Sequence, residues 1–172
     1  MLSKKMEKAL NGQINAELYS SYLYLSMAAY FESKNLPGMA SWMRIQAEEE
    51  KMHGMKFFDF VADRGGRVIL DKIDAPETEW ASPLAVFEAA YGHEQKVTGL
   101  INDLVKLAKS ESDAATDIFL QWFVTEQVEE EKSADEVVQK LKMIEGAPHL
   151  MLMMDRELGA RQAATAAAEE GE

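Results

Sequence analysis

At 172 residues, 47% hydrophobic and 28% charged, the chain has the size and composition of one soluble globular domain with a core of its own. Its formal net charge of −12 argues against a nucleic-acid partner, which would need a basic face. The absence of cysteine removes disulfides, thiolate zinc sites, iron–sulfur clusters and thiol catalysis together.

The N-terminus, MLSKKMEKALNGQ, turns polar before the apolar stretch of a signal peptide can form. The most apolar early segment, LYLSMAAYF at 23–31, is too short to span a bilayer. A cytoplasmic protein with no membrane partner is expected. A first helical run covers about 3–33 and stops at Asn35-Leu36-Pro37-Gly38. A second covers about 38–64 and ends at Gly65-Gly66, a C-terminal stop signal. The stretch RVILDKIDAPETEWA follows, non-helical, with a β-like patch at 67–70. Ser82 before Pro83 reads as an N-cap ahead of a first-turn proline. The third run reaches about 110, and the fourth goes from 112 or 113 to about 145. After Gly146-Ala147-Pro148 comes a short fifth run, HLMLMMDREL. From 162 to 172 an Ala/Glu tail has little to bury and is expected to be flexible.

Four runs of roughly 25–33 residues, against the ~11–12 of an average helix, predict an all-α fold built as a four-helix bundle. Short connections make the first and second helices antiparallel, and likewise the third and fourth. The longer connection between second and third can travel the bundle's length and make that pair parallel.

Core positions of a bundle helix recur in steps of three and four. The first helix then presents Leu10, Ile14, Glu17, Ser21, Tyr24, Ala28 and Phe31. The second presents Met39, Met43, Gln46, Glu50, His53, Phe57 and Phe60. Leu84, Phe87, Tyr91, Glu94, Thr98, Ile101 and Val105 form the third seam. Phe119, Phe123, Gln127, Glu130, Ala134, Val137, Leu141 and Ile144 form the fourth. Each seam is apolar at its ends and carries metal-competent groups near its middle, so these groups meet in one layer. Four glutamates buried together cost several kcal/mol per ion, or take up protons, unless cations compensate them. Mostly oxygen donors with one imidazole suit iron better than zinc.

Di-iron carboxylate bundles carry one glutamate on each of two helices and a Glu-x-x-His pair on each of the others. Glu17 and Glu94 supply the single glutamates, and Glu50 with His53 one pair; the fourth helix departs, with Gln127 and Glu130 in the equivalent places. INAELYSSYLYLSMAAYF, WMRIQAEEEKMHGMKFFDFVADRGGRV and FLQWFVTEQVEEE resemble the ferroxidase helices of non-haem ferritins of the bacterial and archaeal type. The resemblance runs over residues 1–161, a ferritin-like di-iron domain.

It implies that Glu17, Glu50 and His53 hold one iron, with Glu50 bridging to a second held by Glu94 and Glu130. Gln127 would contact the oxidant or its water, Tyr24 would supply an electron beside the centre, and Trp122 would be a second donor. Glu49, Glu126 and Glu129 resemble the ligands of a third iron. The implied activity is oxidation of Fe(II) by O2 or H2O2, with storage of ferric mineral inside a shell of twenty-four subunits. Bacterioferritin would have a haem-ligating methionine directly after the first motif's glutamate; Lys51 stands there, and no haem is expected. A rubrerythrin-like di-iron oxidoreductase without storage is the alternative. His93, next to Glu94, is expected at the surface or an interface. His149 has no spaced partner, the methionines of the fifth run read as packing residues, and Asp113 and Asp117 as a weak channel signal.

Overall fold

A computed structural model describes residues 2–162. The described residues form five helices: α1 Lys4–Ser33, α2 Pro37–Asp63, α3 Pro83–Ser110, α4 Ala114–Met143 and α5 Pro148–Leu158. Three begin on their own side-chain caps. Ser3 accepts from the Met6 amide, Ser82 from that of Ala85, and Asp113 from that of Thr116, each satisfying an orphan donor of the first turn. Asp113 also pairs with Arg64 at 3.0 Å, which accounts for its place at the helix start.

α2 has no such cap of its own. The buried Asp155 of α5 supplies one, its Oδ1 accepting from the Met39 amide at 2.8 Å. Contact this close needs glycine at 38, because a Cβ there would sit 1.8 Å from the Asp155 carbonyl oxygen. α5 is thereby registered against the start of α2.

Trp42 of α2 meets Phe87 of α3 with ring centroids 5.2 Å apart. The N-terminal parts of these two helices lie side by side, and the middle pair runs parallel as expected. Residues 64–82 make this possible by running along α1. Asn11 accepts from the Ile69 amide at 2.7 Å and donates to the Arg67 carbonyl at 3.0 Å. Farther on, Asn15 donates to the Lys72 carbonyl and Ser26 to that of Glu77. These side chains do for the crossover what a strand partner would do. The β-like stretch at 67–70 accordingly forms no strand.

Two apolar clusters fill the bundle on either side of the polar layer. One gathers Met6, Leu10, Phe57, Ile101 and Leu120, the other Met27, Phe31, Met43, Phe87 and Leu141. Three of the expected seams are largely buried, with Ser21, Phe60, Phe119 and Ile144 half-buried at their margins. The third differs. Its buried stripe is Val86, Phe87, Ala90, Glu94, Val97, Ile101, Leu104 and Ala108, while Leu84, Tyr91, Thr98 and Val105 are half-buried. Ala90 and Ala108 carry too little hydropathy to mark a seam, yet both are fully buried.

No helix among the described residues is long and apolar enough to cross a membrane. Of the expected tail, residues 163–172 lie outside the described residues.

Candidate metal centre

The seam interruptions converge. Glu17, Glu50, His53, Glu94, Gln127 and Glu130 are all at most 6% exposed, so no solvent shell compensates their charge. Carboxylate oxygens of Glu17 and Glu50 and a ring nitrogen of His53 lie within 4.8 Å of one another, as do donor atoms of His53, Glu126 and Glu130. His53 Nδ1 stands 3.6 Å from Glu50 Oε2, the one-turn spacing of residues three apart on a helix. On the opposite wall the Tyr24 hydroxyl donates to Glu94. The Gln127 amide donates to the Glu94 carbonyl at 3.2 Å and to its carboxylate at 3.3 Å.

Electrostatics within the layer are unfavourable to its own charges. Burial, then the neighbouring Glu50, holds Glu17 well above the usual carboxylate range. Burial followed by Glu94 and Glu130 does the same to Glu50. Glu94 is raised by burial against the relief of bonds from Tyr24 and Gln127. Burial and then Glu94 push Glu130 up to about 8. The Tyr24 phenol is likewise raised, by burial and by Glu94. One buried oxygen, Glu17 Oε2, has no hydrogen-bond partner, at a cost of about 1–3 kcal/mol for such an atom. Raised carboxylates and an orphaned oxygen beside a histidine-containing cluster of donors are what such a layer shows when its donors suit divalent cations.

Two glutamines support these carboxylates. Gln13 donates to Glu17 at 2.8 Å, and Gln46 donates to both Glu50 at 3.2 Å and Glu130 at 2.6 Å. Gln13 sits four residues before Glu17 and Gln46 four before Glu50 on the same helix, while the bond from Gln46 to Glu130 crosses from α2 to α4. That spacing is visible in the sequence, although sequence reasoning did not give Gln13 or Gln46 a role. It missed Arg161 altogether, whose guanidinium donates to Gln46 at 2.9 Å and to Glu49 at 2.6 Å.

The outlying candidates separate. Trp122 is half-buried, its ring edge-on to His53 at 5.4 Å between centroids, with the Lys56 ammonium 3.5 Å from its own centroid. Of the three glutamates expected to form an outer site, Glu126 joins His53 and Glu130, Glu49 is buried against Arg161, and Glu129 is exposed. Glu49 and Glu129 fall in neither group of clustered donors.

His93, expected at the surface or an interface, is half-buried against α1. Its Nε2 lies 2.7 Å from the Ser20 hydroxyl, its ring stands between Tyr19 and Tyr24, and burial, then Lys96, pull it down to about 4. Adjacent to Glu94, it turns toward α1, which the helical offset of one residue permits. His149 is exposed; Met154 is buried and Met153 exposed on α5.

Comparison with known proteins agrees with this geometry. A model of the ferritin-like domain matches residues 7–144. A bacterial non-heme ferritin of Bacteroides fragilis is 45% identical over 161 residues, covering 94% of this chain and all of that protein. One from Staphylococcus epidermidis is 39% identical, covering 94% and 97%. Among solved structures, an open pore ferritin of the hyperthermophilic archaeon Archaeoglobus fulgidus superposes with a TM-score of 0.93 at 56% identity, over 94% of this chain and all of that one. A closed form engineered from the same archaeal ferritin gives 0.94 at 55%, over 95% and 100%. With its bundle, crossover, short fifth helix and buried carboxylate layer, the chain belongs to the ferritin family.

Proposed function

We propose that this chain is an iron-storage ferritin subunit whose buried layer oxidises Fe(II) and passes Fe(III) to the inside of a shell. The observation that carries the reading is the layer itself: four glutamates and a histidine, solvent-excluded, short of positive charge, with an oxygen unpartnered. Fe(II) is the substrate. Glu17, Glu50 and His53 receive one ion, and Glu94 and Glu130 a second, with Glu50 shared between them. Each ion that enters displaces protons held by the raised carboxylates. Two ferrous ions then yield two electrons, which with two protons convert O2 to H2O2, or H2O2 to two waters, leaving two Fe(III).

Gln127, bonded to Glu94, places its amide where the oxidant or its water would sit. Tyr24, bonded to the same glutamate, is placed to supply an electron, and Trp122 beside His53 a further one. Glu49, Glu126 and Glu129 make an outer third position on the way from the pair; the closeness of Glu126 to His53 and Glu130 supports continuity between the two. The storage compartment is a cytoplasmic shell of twenty-four copies, without haem. The bundle over 1–161 is its folding unit.

Crystals soaked anaerobically in ferrous iron and measured across the iron absorption edge locate the ions. Two anomalous peaks per chain are expected, one at Glu17, Glu50 and His53 and one between Glu50, Glu94 and Glu130. Iron confined to surface carboxylates, with this layer vacant, overturns the assignment.

A further inference from the structure

We infer that Arg161 is the resident cation at the rim of the layer: its guanidinium holds Glu49 and the Gln46 amide in place, and a third metal ion has to displace it. This rests on the proposed iron chemistry of the layer. Glu49 is 8% exposed and lies beside a layer already crowded with carboxylates, so it needs a positive partner. Arg161 provides one at 2.6 Å, only partly exposed to solvent. The same guanidinium donates to Gln46 Oε1 at 2.9 Å and lies 4.5 Å from the centre of the Trp42 ring, a cation–π contact.

The bond to Gln46 matters because an amide has one accepting and one donating end. With its oxygen taken by Arg161, the amide must turn its NH2 toward Glu50 and Glu130, the two carboxylates it reaches. Arg161 is therefore a positioning residue for ligands it does not touch. Its own position comes from α5. Asp155 caps α2 and Gly38 admits the close approach, so the residues following α5 are delivered to α2 just above Gln46 and Glu49. A charge-assisted pair this well enclosed competes with any cation seeking Glu49, and its removal is expected to tighten that cation by about tenfold, allowing for its partial exposure.

The test is calorimetric titration of the metal-free full chain with Zn(II), which cannot be oxidised, on wild type, Arg161→Gln, Arg161→Lys, and Arg161→Gln with Glu49→Gln. All four are expected to bind two ions in the layer. Arg161→Gln binds a third about tenfold more tightly than wild type, Arg161→Lys keeps the charge and restores the weak third event, and the added Glu49→Gln erases the gain. If Arg161→Gln lowers the melting temperature but leaves the third ion's affinity within twofold of wild type, Arg161 only ties down the C-terminal segment, and the inference is overturned. If no variant and no wild-type protein binds ions in the layer, the iron reading falls and takes this one with it.

Discussion

Glu50→Gln is expected to slow ferrous oxidation by at least about 100-fold, since the proposed shared anionic ligand is lost where even supporting residues are worth ten- to a hundredfold. The same change is expected to make the metal-free protein more stable. Glu50 is 1% exposed and faces Glu94 and Glu130 across the layer. Burial and these neighbours raise its carboxyl well above the usual range, so the folded chain keeps its proton to higher pH than the unfolded chain does. Glutamine keeps the volume, opens no cavity and needs no proton. Relief of buried charge of this kind is worth about 1–2 kcal/mol, a rise in melting temperature of about 2–8 °C for a domain of this size. Glu48→Gln is the control: that side chain is exposed and paired with Lys51, so neither quantity should change appreciably. Oxidation at the wild-type rate in Glu50→Gln would remove Glu50 from the centre.

Metal-free protein is expected to lose stability steadily as pH rises from about 5 to 8, the reverse of the usual carboxylate pattern. The sign follows from the direction of the shifts. Glu17, Glu50, Glu94 and Glu130 are all raised in the folded state, Glu130 to about 8 from a value of 4.5. Below 4.5 both states are protonated and nothing is lost. Above it the unfolded chain ionises first, the folded chain holds more protons, and stability falls by about 1.4 kcal/mol per pH unit for each proton of difference. His93 works the other way. Held neutral down to about 4 against an ordinary 6.5, it withdraws stability as pH drops through that interval. Four carboxylates outweigh one imidazole, so a net decline toward pH 8 is expected. Melting curves across this range, repeated with saturating Zn(II), check both halves: the decline without metal, and its flattening once the cation replaces the protons. A metal-free melting temperature that climbs between pH 5 and 8 would contradict the burial of these charges.

Much of this site is legible in the sequence because a heptad-like register converts spacing into depth. Glu17, Glu50, His53, Gln127 and Glu130 each interrupt an apolar series at a step of three or four, and burial followed. What the register cannot see is lateral. It misjudged α3, whose buried stripe takes in Val86, Ala90, Val97, Leu104 and Ala108 beside the expected Phe87, Glu94 and Ile101, and it did not foresee that His93, one residue's rotation from Glu94, lies against α1. Contacts made across long sequence separations left no local trace. The cap of α2 comes from Asp155 on α5, the crossover is held by Asn11 and Asn15 on α1, and Glu49 finds Arg161 beyond the last helix. Gln13 and Gln46 are an intermediate case: their i, i+4 spacing to Glu17 and Glu50 was there to be read, but glutamine on a helix has many uses and only the bonds distinguish them.

The central claim is that oxidation at this layer feeds storage. Aerobic titration of the metal-free protein with ferrous iron tests it most directly, by following how much oxidised iron stays soluble and co-migrates with the protein. Continued uptake well past the two or three ions proposed for the layer and its rim, with the iron remaining soluble inside a large assembly, is the predicted result. Rapid oxidation that stops at about two ions per chain, with later iron precipitating, would contradict it and make the bundle a di-iron oxidoreductase without a store.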